Sequence, residues 1–259
     1  MARIACLVVW VSAFGCDTAP SAPTGHLVDY TLTWETDDVA FDGDTLQVIN
    51  DLGYTIEVDQ AYLVTFGVKL VPCEDEIDLT LTQILSWMLG GVAHAGHGGE
   101  NRDPSAARLP RVESLLAPDT VKHAQRVIGS QRYCQVHYLV GPAGPDTLDL
   151  PPTDSLDGMS LSLQGRWHRG DAATAVPFTV TSTKAYGTLT HLYPAGQFQV
   201  DAVRQVWDAD ETSGQVVIER RLSTLFNEIE WPMLSVEEVE AQILRNLIGD
   251  TRIGVTLGE

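Results

Sequence analysis

Residues 61–72 read AYLVTFGVKLVP, and this stretch decides the fold because β-branched and aromatic residues dominate it until Pro72 ends it. Residues 132–140 (RYCQVHYLV) and 158–168 (GMSLSLQGRWH) alternate apolar and polar side chains, as strands with one buried face do. Further strands are predicted at 178–183, 197–207 and 215–222. The sequence therefore predicts a mainly β protein, an antiparallel β-sandwich with a few short helices.

The alternation assigns side chains to faces. In 132–140 the inward face is predicted to carry Cys134, Val136, Tyr138 and Val140, while Tyr133, Gln135, His137 and Leu139 share the other. In 158–168 the apolar face is predicted to carry Met159, Leu161, Leu163 and Trp167, with His168 opposite.

Two helices are predicted. Residues 77–92 place Leu81, Ile84, Leu85, Met88 and Leu89 on one face, and this stretch is too short to span a membrane. Near the C-terminus, Ser235 and Glu238 have the spacing of a capping box, and Gly249 is expected to end the helix. Its buried stripe is predicted to consist of Val236, Val239, Ile243 and Leu247.

The N-terminus has the layout of a signal peptide. Arg3 precedes an apolar run, and small residues precede Cys16. Residues 1–15 are therefore predicted to be the signal, Cys16 to carry lipid, 16–25 to be the tether and 26–259 to form a single β-sandwich-like domain. The alternative is an ordinary signal peptide with an incidental cysteine. Both interpretations predict export, with a lipid anchor to the bacterial cell envelope in the first.

Cys73 and Cys134 are the two cysteines left after Cys6, inside the signal, and Cys16. In an oxidising compartment two such cysteines form a disulfide more often than they stay free, so a Cys73–Cys134 bridge is predicted. The alternative, a two-cysteine metal site, lacks the usual CxxC spacing.

The chain is strongly acidic, with 16 Lys and Arg against 35 Asp and Glu and a net charge of −19. This charge disfavours nucleic acid as a partner, and it disfavours contact with anionic lipid except through the anchor. None of the common nucleophile, phosphate-loop or HExxH motifs is present, so no catalytic residue is predicted and the protein is expected not to be an enzyme.

The segment VAHAGHGGE (92–100) contains the one cluster of residues that predicts a metal site. His94 and His97 lie three residues apart among glycines, so both imidazoles can turn onto one metal ion, and neutral imidazole suits copper, zinc or nickel. His137 and His168, on the less apolar faces of their strands, are candidates for a third ligand. The competing interpretation is a solvated connector without a metal.

Several segments together resemble a group of secreted bacterial lipoproteins: YLVTFGVKLVPC, AHAGHG, RYCQVHYLV, DGMSLSLQGRW and VPFTV. The nearest named family is the MbnP-like, methanobactin-associated periplasmic copper-binding proteins. The resemblance implies a sandwich domain that handles copper through a histidine and an oxidised tryptophan. The candidate tryptophans here are Trp34, Trp87, Trp167, Trp207 and Trp231.

Three classes of function follow. The first is an envelope lipoprotein that binds copper or zinc as a carrier, buffer or accessory to uptake, with an envelope protein as a possible partner. The second is a non-catalytic surface module that binds a protein or glycan. The third is a hydrolase with a site that none of the common motifs marks. Metal content of the purified protein separates the first from the others.

Overall fold

The computed structural model describes residues 25–73, 103–152, 156–170, 174–196, 203–208 and 213–258. Over these ranges the prediction of a mainly β sandwich is confirmed, since two sheets and one helix make up the regular structure. The elements are β1 (His26–Glu35), β2 (Ala40–Asp42), β3 (Thr45–Ile49), β4 (Tyr54–Pro72), β5 (Arg111–Ser114), β6 (Val121–Ile128), β7 (Tyr133–Val140), β8 (Leu161–Arg169), β9 (Val176–Ser182), β10 (Tyr186–His191), β11 (Tyr193–Pro194), β12 (Ser213–Arg221), α1 (Val236–Gly249) and β13 (Arg252–Leu257).

The smaller sheet has the strand order β11-β13-β12-β1-β6. Its centre is the parallel pair β1–β12, which runs from Leu27 opposite Ser213 to Glu35 opposite Arg221. β11 and β13 are also parallel, whereas the other pairs are antiparallel. Parallel partners cannot be joined by a hairpin, so the sheet unites segments far apart in the sequence.

The larger sheet is organised by β4. This strand pairs with β3 at 55–58 and with β5 at 62–65, and it pairs with β8 at 54–63 and with β7 at 65–72. Because a strand residue has one neighbour on each edge, β3 and β5 share one edge of β4 and β8 and β7 share the other. β8 and β7 therefore lie end to end along β4.

The main core lies between the sheets. It takes side chains from the small sheet, such as Tyr30 and Ile218, and from the large sheet, such as Ile56 and Leu63. A second, smaller cluster of Val64, Val112, Ala143 and Leu156, with Tyr62 and Met159 against it, covers the outer face of β4. The middle of β4 is thus buried on both faces, as its nearly continuous apolar sequence requires.

The C-terminal helix begins as predicted. Ser235 Oγ accepts from the Glu238 N–H, and the Glu238 carboxylate accepts from the Ser235 N–H, so the capping box is confirmed. Val239, Ile243 and Leu247 are buried, but Val236 is 58% exposed and does not belong to the stripe. Val236 is the first residue of the helix and lies beyond the surface that the sheets cover.

Other expectations need correction. Met159 precedes β8 and packs in the small outer cluster, away from Leu161 and Leu163. Tyr133 is fully buried, because the register of β4 and β7 shifts between Val71 and Pro72 and reverses the alternation at that end. Residues 203–208 make only isolated bridges, Gln205 to Leu192 and Trp207 to Tyr133, and form no strand.

The predicted helix at 77–92 lies outside the described residues. In the part of the chain that is described, no helix has the length and apolar character needed to cross a membrane.

Candidate functional site

The predicted disulfide is confirmed. Cys73 follows β4, Cys134 is the second residue of β7, and their Cα atoms lie 4.9 Å apart. The bridge closes a sequence separation of 61 residues. Cys73 also donates its backbone N–H to the Arg132 carbonyl oxygen at 3.0 Å, so the end of β4 is tied to β7 by both a covalent bond and a hydrogen bond.

His94 and His97 lie outside the described residues, but residues on either side of their segment contact β4 or its end. Before it, Cys73 is held by the disulfide. After it, Ser105 Oγ donates to the Leu70 carbonyl oxygen at 3.0 Å, and Ala107 exchanges two backbone hydrogen bonds with Val68. Both flanks of the histidine segment therefore attach to the same end of β4.

His137 and His168 are far apart. His137 lies opposite Lys69 and His168 lies opposite Thr55, so 14 positions of β4 separate them. At about 3.3 Å per residue this is roughly 45 Å along an extended strand. The two side chains cannot bind the same ion, and His137 is the one at the end of β4 where the histidine segment attaches.

The environments of these two rings also differ. His168 Nδ1 lies 3.0 Å from the Gly170 carbonyl oxygen, which engages that nitrogen. His137 is half-buried on the outer face of its sheet. Burial, and then the positive charge of Lys69, lower the pKa of His137 below its ordinary value, so its ring is neutral near pH 7.

Sequence reasoning missed His191. β10 pairs antiparallel with β7 and sets His191 opposite Gln135 and Leu189 opposite His137. His191 is therefore a diagonal neighbour of His137 on the same face. The sequence around His191, THLYP, shows no alternation from which its position next to His137 could be predicted. Among the described residues, no group of three or more His, Cys, Asp or Glu side chains could hold a metal ion.

The most elaborate polar arrangement inside the sandwich is a buried ion pair. Arg220 Nη1 and Nη2 donate to Glu113 Oε1 and Oε2 at 2.7 and 2.6 Å. Thr65 Oγ1 donates to Glu113 Oε1 at 2.7 Å, and Trp34 Nε1 donates to Glu113 Oε2 at 3.3 Å. Each carboxylate oxygen therefore accepts two hydrogen bonds. The Arg220 guanidinium lies over the Trp34 ring, 4.2 Å from its centroid, and Nη1 also donates to the Tyr138 hydroxyl.

Electrostatics keep this pair ionised. Burial alone would raise the pKa of Glu113, but the Arg220 charge and the donated hydrogen bonds outweigh it and hold that pKa below its ordinary value. Burial alone would lower the pKa of the Arg220 guanidinium. The charge of Glu113 outweighs this effect and raises that pKa above its ordinary value. The carboxylate is saturated with donors, which makes it a structural group and a poor metal ligand.

A cavity of about 150 Å³ opens beside the ion pair. Arg111, Asp119 and Asp149 supply its charged groups besides Glu113, and Arg111 Nε lies 3.3 Å from Asp149 Oδ2. The remaining lining comes from Trp34, Val112, Ser114, Ala117 and Val121. The several polar groups in this lining suit a small polar ligand.

His123, on β6, was also missed by sequence reasoning. The register of β6 against β1 shifts at this residue, so that both His123 and Ala124 turn toward the interior. His123 is 5% exposed, and neither ring nitrogen has a hydrogen-bond partner. Burial is the main cause that lowers its pKa to about 4, with Glu113 raising it and Arg111, Arg220 and Arg126 lowering it.

The candidate tryptophans are mostly core residues. Trp207 is fully buried, and Trp34 and Trp231 are buried at 8% and 7% exposure. Trp167 is half-buried and stacks on Trp231, with ring centroids 6.1 Å apart. Trp87 lies outside the described residues. Of the four tryptophans in the described residues, three are therefore buried and the fourth is half-buried.

Comparisons with known proteins give no relatives. No family model matches the sequence, and neither the curated proteins nor the solved structures contain a significant match.

Proposed function

We propose that this protein is an exported, lipid-anchored, non-catalytic β-sandwich of the bacterial cell envelope that binds a transition metal, copper ahead of zinc, through His94 and His97. It would act as a carrier, a buffer or an accessory to uptake. The observation that carries the export part of the proposal is the Cys73–Cys134 disulfide, because such bridges persist in oxidising compartments and are rare in the cytosol.

The metal part is supported by where the histidine segment attaches. Both of its flanks are fixed to one end of β4, by the disulfide on one side and by the Ser105 and Ala107 hydrogen bonds on the other. Fixed ends reduce the entropy that is lost when the segment meets a ligand on β7, because the loop from Cys73 to Ser105 is already closed. The preference for copper rests on the resemblance to MbnP-like proteins and on the affinity order of divalent metals.

The third ligand is proposed to be His137 in preference to His168. His137 lies three residues from Cys134, on the strand that the disulfide joins to the end of β4. His168 lies at the opposite end of β4. His137 is therefore the strand histidine that the segment can reach.

Calorimetric titration with Cu(I), Cu(II) and Zn(II) tests the metal proposal. The double variant His94→Ala, His97→Ala should lose a binding event that the wild type and the control His168→Ala both show. Equal binding by the wild type and the double variant would overturn the proposal. Anchoring is tested separately, since Cys16→Ser should abolish fatty-acid labelling and release the protein from membranes.

A second candidate function is a surface module that binds a protein or glycan. The specific observation in its favour is the cavity beside Trp34, with Arg111, Asp119 and Asp149 at its wall. A sugar would contact the charged hydrogen-bonding groups of this wall, because Trp34 is only 8% exposed and the Arg220 guanidinium lies over its ring. A glycan array probed with the metal-free protein distinguishes this function from metal binding. Asp149→Ala should remove glycan binding on the array, and the metal content of the purified variant should be unchanged.

A further inference from the structure

The outer face of the β4–β7–β10 region carries two histidines from neighbouring strands. Val136, Tyr138 and Val140 of β7 point into the core, so His137 points to the opposite face. His191 lies directly across from Gln135, which shares that outer face with His137. The pairing of β7 with β10 thus brings together two imidazoles that are 54 positions apart in the sequence.

The separation suits chelation. Diagonal neighbours on antiparallel strands lie about 7–8 Å apart at their Cα atoms, and their side chains lean over the same surface. An imidazole nitrogen binds copper or zinc at about 2.0–2.1 Å, and each ring reaches several ångströms from its backbone, so one ion can contact both.

The nitrogens of the two rings are available to a metal ion, and the strand that carries His137 is held in place on both sides. Both are half-buried, and within the described part of the chain neither has a hydrogen-bond partner that would occupy its nitrogens. β7 is fixed between β4 and β10, and the disulfide at Cys134 anchors it three residues before His137. The backbone that carries the pair is thereby preorganised, which lowers the entropic cost of binding.

The surroundings define the kind of site. Lys69 lies opposite His137 on β4 and adds a positive charge beside the pair. No third His, Cys, Asp or Glu completes a metal-binding group among the described residues. An ion held here would therefore keep open positions filled by water, and binding would be weaker than at a closed structural site.

We propose that His137 and His191 form a cross-strand site for a divalent transition metal of the imidazole-preferring class, Cu²⁺, Ni²⁺ or Zn²⁺. The site shares His137 with the proposed segment site, but it needs neither His94 nor His97 and can therefore bind an ion without them. It differs from the proposed segment site in having both ligands on rigid strands.

The experiment is calorimetric titration of the full-length protein with CuCl₂, NiCl₂ and ZnCl₂ in separate runs at one pH. All variants are made in a His94→Ala, His97→Ala background, which removes the proposed segment site. His137→Gln with His191→Gln removes the pair at nearly constant volume, and His168→Gln is the matched control on another strand. Circular dichroism and the thiol count verify that each variant keeps its fold and its disulfide.

The background protein and the His168→Gln control should bind one ion with the same affinity. The paired glutamine variant should lose that binding by at least tenfold, and either single variant should weaken it. Lys69→Met should strengthen it, since the nearby positive charge is removed. Electron paramagnetic resonance of the Cu²⁺ form should show nitrogen coupling that disappears in the paired variant.

Unchanged stoichiometry and affinity in the paired variant would overturn this inference, as would the absence of saturable binding in the background protein. Neither result decides whether His94 and His97 bind a metal, which the wild-type comparison with His94→Ala, His97→Ala tests by itself.

Discussion

Arg220 and Glu113 join the two sheets of the sandwich through a buried, two-pronged ion pair. Arg220 lies on β12 of the smaller sheet and Glu113 on β5 of the larger one, and their side chains are 0% and 5% exposed. Thr65 donates to Glu113, the Tyr138 hydroxyl accepts from Arg220, and the Trp34 ring lies under the Arg220 guanidinium. Both charges are therefore compensated inside the sandwich, between the two sheets.

Removing one partner of this pair should strongly destabilise the protein. Glu113→Gln leaves the Arg220 charge buried without a counter-charge, and such losses cost about 3–5 kcal/mol. The free energy of unfolding from urea titration measures the effect. The control Glu57→Gln breaks the solvent-exposed pair with Arg166 and should change stability little. Similar losses in the two variants would show that the buried pair has no special role.

His123 should make the protein sensitive to mild acid. The unfolded chain binds this proton at a pKa of 6.5, whereas the folded protein binds it only at about 4. Because the unfolded state takes up the proton first, stability is complete above pH 6.5 and falls between pH 6.5 and 4. The loss over this window should approach about 3 kcal/mol.

His123→Leu isolates that effect. In the variant, the free energy of unfolding should vary much less between pH 6.5 and 4 than in the wild type. A further loss of stability in acid should persist in the variant, because the pKa of Glu113 is held below its ordinary 4.5 in the folded protein and the unfolded chain therefore takes up that proton first. A variant that keeps the wild-type slope between pH 6.5 and 4 would contradict the assignment to His123.

The disulfide should contribute substantially to stability. Replacing Cys73 and Cys134 together by Ala releases a loop of 61 residues in the unfolded chain, which should cost about 4 kcal/mol on the chain-entropy model. Thermal unfolding with and without reductant measures the loss, and the double variant should not respond to reductant. Native protein in which both thiols react with a labelling reagent would refute the bridge.

The N-terminal cap of α1 should contribute more to the free energy of unfolding than the exposed side chain beside it. Ser235→Ala removes the hydroxyl that accepts from the Glu238 N–H and should cost about 1 kcal/mol. Val236→Ala is the matched control, because this neighbouring side chain is 58% exposed and buries little. A greater loss from Val236→Ala would mean that the predicted buried stripe, and not the observed one, is correct in solution.

Part of the candidate site could be predicted from the sequence. The cysteine pair follows from the small number of cysteines in a chain that is predicted to be exported, and the outward position of His137 follows from the period of two in β7. His191 could not be predicted, because its importance depends on the register of β10 against β7. His123 is turned inward by a register shift in the β1–β6 pair, and nothing in VKHAQRVI marks that shift.

The sequence by itself determined the class of fold, the positions of several strands, the capped C-terminal helix and the partners of the disulfide. Each of these depends on side-chain patterns within one segment or on the count of a rare residue. Only the tertiary structure decided that β1 and β12 lie in parallel, that Arg220 meets Glu113 between the sheets and that His137 has His191 as its neighbour. These relationships join residues from 54 to nearly 190 positions apart, and they arise from strand register and sheet packing, which short-range periodicity does not encode.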